Sequence, residues 1–355
     1  MRGEAAGPEL SVVIPTFNEA TALPRLLADL AAQTGTDFEV LVCDGGSADG
    51  TGELAPAILA RHRLAGEVLT GPAGRGRQLN RGAARARGEW LLFLHADSRL
   101  PDPGTLTAAL AVLRRESDPR LAGRFALRFD LPDQERTFGY YLAEVKARLD
   151  LPGTVHGDQG FLLRKASFRE LAGFREDLPV LEDTLLAERL RTGGRWLLLP
   201  GVIVTSPRRF QVEGFRQRQT LNALLMNFAI TGWDEPLRRS VDAYRSQDRA
   251  RSLDLAPFFR EIDRLLDELP WSERLRIWYR TGGFVRANAW QLALRHRARR
   301  AFCAGLPPEA VLLEPVVRFR RGCDALTDHP PGRLLAALLT WLWFRTRQRQ
   351  PLRGA

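Results

Sequence analysis

The chain has 355 residues, 45% of them hydrophobic and 26% charged, with a formal net charge of +10 at pH 7. Such an apolar fraction excludes a disordered chain and suffices for a large core and more than one domain. Its three cysteines, Cys43, Cys303 and Cys323, lack paired metal spacing and are too few to staple a fold, which excludes a disulfide scaffold and favours a reducing, cytoplasmic compartment.

In chain order, Met1 to Glu9 is polar and lacks the apolar stretch of a leader peptide. LSVVIPTF (10–17) is predicted as a buried strand, and Leu23, Leu26, Leu27, Leu30 and Ala31 follow at helical spacing. FEVLVC (38–43) is predicted as a second strand running into the turn-rich DGGSADGT (44–51), after which Leu54, Ile58 and Leu59 mark another helix. The Arg-rich, small-residue segment 76–88 leads to a third strand, WLLFLH (90–95). Repetition of this β-α-β kind implies a mostly parallel sheet with helices on both faces, and ligands on such sheets bind beyond the carboxyl ends of the strands. The polar clusters Pro15 to Glu19, Asp44 to Asp49 and His95 to Asp97 are therefore expected on one rim.

Further along, LAGRFALRFD (121–130) alternates like a half-exposed strand, and 134–149 has helical periodicity through Phe138, Leu142, Val145 and Leu149. HGDQG (156–160) is a Gly-rich loop before the apolar FLL, and VLEDTLLAERL (180–190) is predicted as a helix opening on acidic residues, whose ionised form the positive helix end favours. RWLLLPGVIVTSPRR (195–209) supplies one or two closing strands, and the polar stretch 233–254 reads as linker-like. The remainder is rich in Arg and Trp and mainly helical. Its last apolar block, LLAALLTWLWF (334–344), is flanked by Arg333 and Arg345 and is too short to span a bilayer, which leaves a packed helix or one lying on a membrane surface.

The basic charge invites a nucleic-acid reading. However, Lys146 and Lys165 are the only lysines, so arginine was chosen throughout, and a solvated basic surface accounts more simply for most of it. Nucleic acid is disfavoured as a partner. Arginine does suit phosphate, because its planar fork binds two oxygens at once. In GPAGRGRQLNRGAARARG (71–88), Arg75 and Arg77 lie in a Gly-rich approach to a helix start and are placed to meet a diphosphate, whereas Arg85 and Arg87 read as exposed helix charges. No P-loop ending follows, and no G-x-G-x-x-G follows the first strand, which disfavours ATP hydrolysis and dinucleotide chemistry.

Asp44 and Ser47 alone would read as a generic turn, but Pro15, Thr16, Asn18 and Glu19 on the same rim favour a nucleotide site, with Asp44 accepting the imide hydrogen of uracil or an exocyclic or ribose donor. Alternation along a strand puts His95 and Asp97 on one face. Asp97 is the candidate ligand for a hard divalent cation, Mn2+ or Mg2+, and His95 is either a second ligand or a residue that hydrogen-bonds or packs at the site. Gly157, Asp158, Gln159 and Gly160 form either a sugar or acceptor contact or a tight turn.

Taken in order, SVVIPTFNEA, CDGGSADGT, NRGAARARG, LHADSRLP and LEDTLLAERL resemble the family 2 glycosyltransferases over about residues 10 to 230, with LHADSRLP in place of the family's Asp-x-Asp segment and LEDTLLAERL in place of its later Glu-Asp. GDQG and SPRR further resemble a bacterial subgroup found with radical-SAM genes and linked to arsenosugar or selenium-associated pathways. This chain departs from the family at Gly45, where a second acid is common, and at His95, where the family has its first metal-site Asp. The resemblance implies an α/β fold of the GT-A type over residues 1–230, with a nucleotide-binding half about 10–110 and an acceptor half about 111–230, followed by a helical basic region, 231–355. It implies an inverting transfer from a nucleotide-diphosphate sugar, UDP-linked before GDP-linked, with a metal at Asp97 and Asp183 as general base beside Glu182. Both acids also fit an ordinary helix N-terminus. The acceptor, small or lipid-linked, is left open. A sugar nucleotidyltransferase would instead show a Gly-rich basic loop where PTFNEA stands, and a non-catalytic nucleotide- or nucleic-acid-binding protein would have no use for Asp97 and Asp183.

Overall fold

In the computed structural model, which describes residues 7–239 and 252–348, the first two apolar runs form β1 (Leu10–Thr16) and β2 (Phe38–Asp44), each buried over six of seven residues. They pair in parallel, with Thr16 opposite Asp44. Burial on both faces is what a mostly apolar run dictates, and the polar exceptions inside the two runs, Ser11 and Glu39, satisfy each other across the ladder at 2.7 Å. Between them α1 (Leu23–Ala31) starts with proline in its first turn and buries Leu23, Leu26, Leu27 and Leu30, one face at helical spacing. In α2 (Thr51–Arg61) the buried residues are Thr51, Ala55 and Leu59, while Leu54 faces solvent. A short edge strand that the sequence pattern did not disclose, β3 (Gly66–Thr70), pairs with β2.

After α3 (Arg75–Arg85), β4 (Trp90–Phe93) ends two residues sooner than expected. His95 and Asp97 therefore do not share a strand face. They lie in a turn closed by the Ser98 amide donating to the His95 carbonyl at 3.1 Å, before the two-residue strand β5 (Ser98–Arg99). Next come α4 (Thr105–Arg114), β6 (Leu121–Phe129), β7 (Phe161–Arg164), α6 (Lys165–Glu170), α7 (Glu182–Gly193) and β8 (Arg195–Thr205), with α5 (Phe138–Lys146) between β6 and β7.

The eight strands form one sheet in the order β3-β2-β1-β4-β7-β6-β8-β5. Its first half is parallel, so β1, β2 and β4 end on the same rim as expected. The second half is mixed: β7 runs antiparallel to both β4 and β6, and β6 is parallel to β8. β6 is not a half-exposed strand. It lies between β7 and β8 and is buried except at Ala126 and Arg128, because the alternating Arg124 that suggests a wet face is itself only 1% exposed. One apolar layer packs α1, α2 and α4 on the sheet through residues such as Leu26, Ala55 and Leu110. The opposite layer joins α3 and α7 through Leu79, Ala83 and Leu186.

The chain divides into two compact units, Met1–Pro132 with Lys146–Ser206 and Asp133–Val145 with Pro207–Ala355. This division and the expected boundary near residue 230 differ over α8 (Arg208–Glu213) and α9 (Phe215–Thr231), which group with the helices that follow. Those are α10 (Ala256–Asp267), α11 (Trp271–Ala287), α12 (Trp290–Cys303), α13 (Glu314–Thr327) and α14 (Pro330–Gln348). Residues 240–251 of the linker-like stretch lie outside the described residues. In α10, Phe258, Phe259, Ile262, Leu265 and Leu266 make a single buried stripe. Among the described residues no helix is long and apolar enough to cross a membrane.

Arg124 anchors the loop between α5 and β7. Its guanidinium donates to the carbonyl of Ala147, to Gln159 Oε1 at 3.0 Å and to the Arg148 carbonyl at 3.3 Å, and burial pushes its pKa down to about 10. Removing a buried donor costs about 1–3 kcal/mol for each acceptor left unmet. Arg124→Met is accordingly expected to lower the melting temperature by roughly 6 °C or more, given about 2–4 °C per kcal/mol in a domain of this size; thermal denaturation followed by circular dichroism checks this.

Candidate active site at the strand-end rim

The loops after β1 and β2 are laced together by their polar side chains. Asp44 is the hub: its Oδ1 accepts from Thr16 Oγ1 at 3.1 Å and Ser47 Oγ at 2.5 Å, and its Oδ2 accepts from the amides of Gly46 at 2.9 Å and Ser47 at 3.0 Å. Burial opposes ionisation there, but the hydrogen bonds from Ser47, Gly46 and Thr16 outweigh it and hold the carboxyl below its usual range. Asn18, in the left-handed region at φ 56°, accepts the Ala48 amide at 2.8 Å, and its own amide donates to Ser47 Oγ at 2.9 Å. The Glu19 amide donates to Thr51 Oγ1, and the Ala20 amide to Asp49 Oδ2. Pro15 pairs with Cys43 at the end of the ladder. Together these residues make a pre-shaped floor.

Across the rim, the first turn of α3 meets the first turn of α7. Arg75 Nη1 donates to Glu182 Oε1 at 3.1 Å, and Glu182 is 1% exposed. Glu182 raises the Arg75 pKa, with Asp183 and Asp97 adding to the effect; burial in turn raises Glu182 above the ordinary carboxylate range against the pull of Arg75. Arg77, two positions on from the helix start, is exposed. Farther along α3, Asn80 pins the opposite end of the preceding loop, donating to the Phe174 carbonyl at 2.9 Å and accepting the Phe174 amide at 2.9 Å. Leu181, which caps α7, takes φ 62°, a left-handed conformation that a branched side chain adopts only when its surroundings hold it.

Asp183 is held from both sides. Its Oδ2 accepts the Gly157 amide at 2.6 Å, and its Oδ1 accepts the Thr184 amide at 2.6 Å. Burial opposes the charge, but His156, Arg75, the Gly157 amide and His95 prevail and keep its pKa below the usual value. Burial also lowers His156, to about 4, against the pull of Asp183, and its Nδ1 lies 2.9 Å from Thr184 Oγ1. Gly157 has no room for a side chain: a Cβ there would stand 2.8 Å from Asp183 Oδ2 and 3.0 Å from His95 Nε2, which brings His95, Gly157 and Asp183 together. Gly160 closes the turn at φ 66°, where a Cβ would meet Ile203 at 2.5 Å.

The two middle residues of GDQG have different fates. Gln159 is 1% exposed and spans Arg124 and the Thr154 carbonyl, so its side chain faces inward to hold the loop. Asp158 presents a buried Oδ1 with no hydrogen-bond partner, and burial, with Asp183 and Asp97 nearby, pushes its pKa up to about 7. Asp97 is partly exposed and accepts no hydrogen bond from the described residues, in contrast to the saturated Asp44. Among the described residues no group of three or more His, Cys, Asp or Glu is arranged to hold a metal.

Several contributors escaped the sequence reading. Gln78, 3% exposed, donates from Nε2 to the carbonyls of Thr16 and Cys43, both at 2.7 Å, and so joins the ends of β1 and β2. Arg81 donates to the carbonyls of Asp44, Leu69 and Pro72. Their only signal was position: they lie on α3 three and six residues after Arg75, facing the sheet. Arg87, read as an exposed helix charge, lies past the end of α3 and pairs with the buried Glu39 at 2.8 Å.

Residues 11–171 match the model of glycosyl transferase family 2. An uncharacterized protein of Mycobacterium tuberculosis (strain CDC 1551 / Oshkosh) is 34% identical over 250 residues, 64% of this chain and 76% of the relative. Residues 11–171 are a glycosyl transferase family 2 segment. A PGL/p-HBAD biosynthesis glycosyltransferase of Mycobacterium tuberculosis (strain ATCC 25618 / H37Rv) is 40% identical over 116 residues, which is 32% of this chain. The match spans 44% of that relative, less than half its length. Among solved structures, a mannosyltransferase from Pyrobaculum calidifontis in complex with GDP-Man and Mn2+ is 22% identical, covering 95% of this chain and 88% of its own, with a TM-score of 0.47. The family 2 match contains the laced loops, Arg75, His95, Asp97 and the GDQG loop, while Glu182 and Asp183 lie beyond it.

The Asp158 carboxyl generates a prediction about pH. Its folded pKa lies above its unfolded value, so its favourable contribution is complete below about pH 4 and is lost as pH rises through about 7. Asp158→Asn removes that loss. The variant is expected to melt above the parent at pH 8, with the gap narrowing to nothing by pH 4, in thermal melts of both proteins across that range.

Proposed function

We propose that the rim catalyses inverting transfer of a sugar from a nucleotide-diphosphate donor, a UDP-sugar in preference to a GDP-sugar, to an acceptor hydroxyl. The observation that carries this reading is Asp183, a buried carboxylate kept ionised and held in place by the Gly157 and Thr184 amides, beside a helix-start arginine. An acceptor hydroxyl is far too weak an acid to attack unaided, so Asp183 takes its proton as the oxygen bonds to the anomeric carbon. The bond from that carbon to the phosphate oxygen breaks, and its electron pair leaves with the nucleoside diphosphate. Arg75, with Arg77 exposed in the same first turn, stabilises the departing charge.

The laced floor of Pro15, Thr16, Asn18, Glu19 and Ser47 receives the nucleoside, and Asp44, whose acceptor positions are met within the chain, acts by holding that floor in shape. Asp97 fits a divalent cation, Mn2+ or Mg2+: it is a hard oxygen donor that accepts no hydrogen bond from the described residues, and such ions are held by one or two carboxylates plus substrate phosphates. The metal, when bound, neutralises diphosphate charge. His95, beside Gly157 and Asp183, fits a role in orienting the base better than a ligand role. The GDQG and SPRR segments support placement in the subgroup associated with radical-SAM, arsenosugar and selenium-related genes.

A second reading exchanges the carboxylates. Asp158, with a free Oδ1 and a pKa near neutrality, is the stronger base of the two and would suit proton transfer at pH 7. The test is single-turnover transfer beside donor binding by calorimetry. Asp183→Asn is expected to bind donor as the parent does while transfer falls about 10²–10⁴-fold. Near-normal transfer in Asp183→Asn, with the loss appearing in Asp158→Asn together with the acid limb near pH 7, favours the second reading. A thermal-shift panel of nucleotide sugars with and without Mn2+ is expected to show stabilisation by UDP-sugars that Mn2+ increases, and Asp97→Asn is expected to abolish the Mn2+ increment.

A further inference from the structure

The surface of α14 (Pro330–Gln348) is unlike that of a helix packed on one side and wetted on the other. Its inward side seats Ala337 and Phe344, with Phe344 against Phe259 and Trp278 at ring separations of 5.5 and 5.6 Å. Its outward side carries no polar stripe. Leu334, Leu335, Leu338 and Leu339 are 52–60% exposed, and Trp341 and Leu342 continue the same surface. With 3.6 residues per turn these six fall in one arc of roughly 160°. Single exposed apolar residues are ordinary, but a contiguous face of large ones marks a contact surface.

We propose that this face lies on an anionic phospholipid surface, with the axis of α14 in the plane of the interface. The charge around it selects that occupant. Residues 256–348 hold sixteen arginines and no lysine against nine carboxylates, one of which, Asp263 of the neighbouring α10, pairs with Arg345 at 3.4 Å. A second copy of the same surface would bring two such positive fields together, whereas an anionic bilayer supplies the opposite charge. The apolar face also ends as an interfacial helix does, with Arg345 over the Trp341 ring at 5.8 Å and Arg347 over the Trp343 ring at 6.0 Å. Indole rings and arginine stems span the boundary between acyl chains and headgroups. The helix is not long and apolar enough to cross, which is why the surface is the place proposed for it.

The experiment is flotation of the full chain with vesicles of mixed phosphatidylglycerol and phosphatidylcholine, beside vesicles of phosphatidylcholine alone. The parent is expected to float with the anionic vesicles, and to do so more weakly with neutral ones or in high salt. L334Q/L338Q/L342Q, substitutions at exposed positions, is expected to weaken binding roughly tenfold or more with an unchanged melting temperature. A parent that stays unbound, or a triple variant that floats as the parent does, overturns the proposal. So does light scattering that shows a dimer broken by the triple variant while the parent ignores vesicles, which assigns the face to self-association. Should the variant melt early, tryptophan quenching of the parent by brominated anionic lipid decides: quenching supports the surface role, and its absence overturns it.

Discussion

Two adjacent carboxylates buried at one helix start are costly unless each is met by its own donor. Glu182 is met by Arg75, and Asp183 by the amides of Gly157 and Thr184. This double satisfaction is the constraint on which the rim depends. Arg75 is partly exposed, but Glu182 is buried, and leaving a buried acceptor without its donor typically costs about 1–3 kcal/mol or more when it is charged. The beginning of α3, the beginning of α7 and the GDQG loop are thus tied into a single arrangement.

The same logic separates the aspartates by what surrounds them. Asp44 has every acceptor position filled and serves the backbone of two loops. Asp97 has none filled by hydrogen bonds from the described residues and is available to something from outside. Asp183 is ionised by its neighbours, and Asp158 is pushed toward the neutral form by burial and by those same carboxylates. Four identical side chains within one rim therefore differ in charge and availability, and packing rather than residue type assigns them.

The parallel half of the sheet was legible because β1, β2 and β4 are predominantly apolar runs, each followed by a polar cluster at its carboxyl end. The order of those clusters also carried the family resemblance. What escaped was whatever depends on tertiary neighbours. β6 reads as half-wet because Arg124 interrupts it, yet that arginine is buried under carbonyls supplied by residues more than twenty positions away. Gln159 looks available in a loop between glycines, but Arg124 and Thr154 claim it from inside. The alternation argument for His95 and Asp97 failed for a local reason: the chain leaves β4 at Phe93 and turns.

The segment between Phe174 and Glu182 is strung between two posts on a single helix, Asn80 at one end and Arg75 at the other. Because both posts belong to α3, the loop can change its sequence, and even its length, without displacing the acids that follow it. Leu181 absorbs the turn back into α7. Such a loop is a natural place for lineages to diverge, since new side chains can be tried beside a fixed proton acceptor. It is also the segment to exchange when related chains are recombined, leaving the reacting carboxylates where they stand.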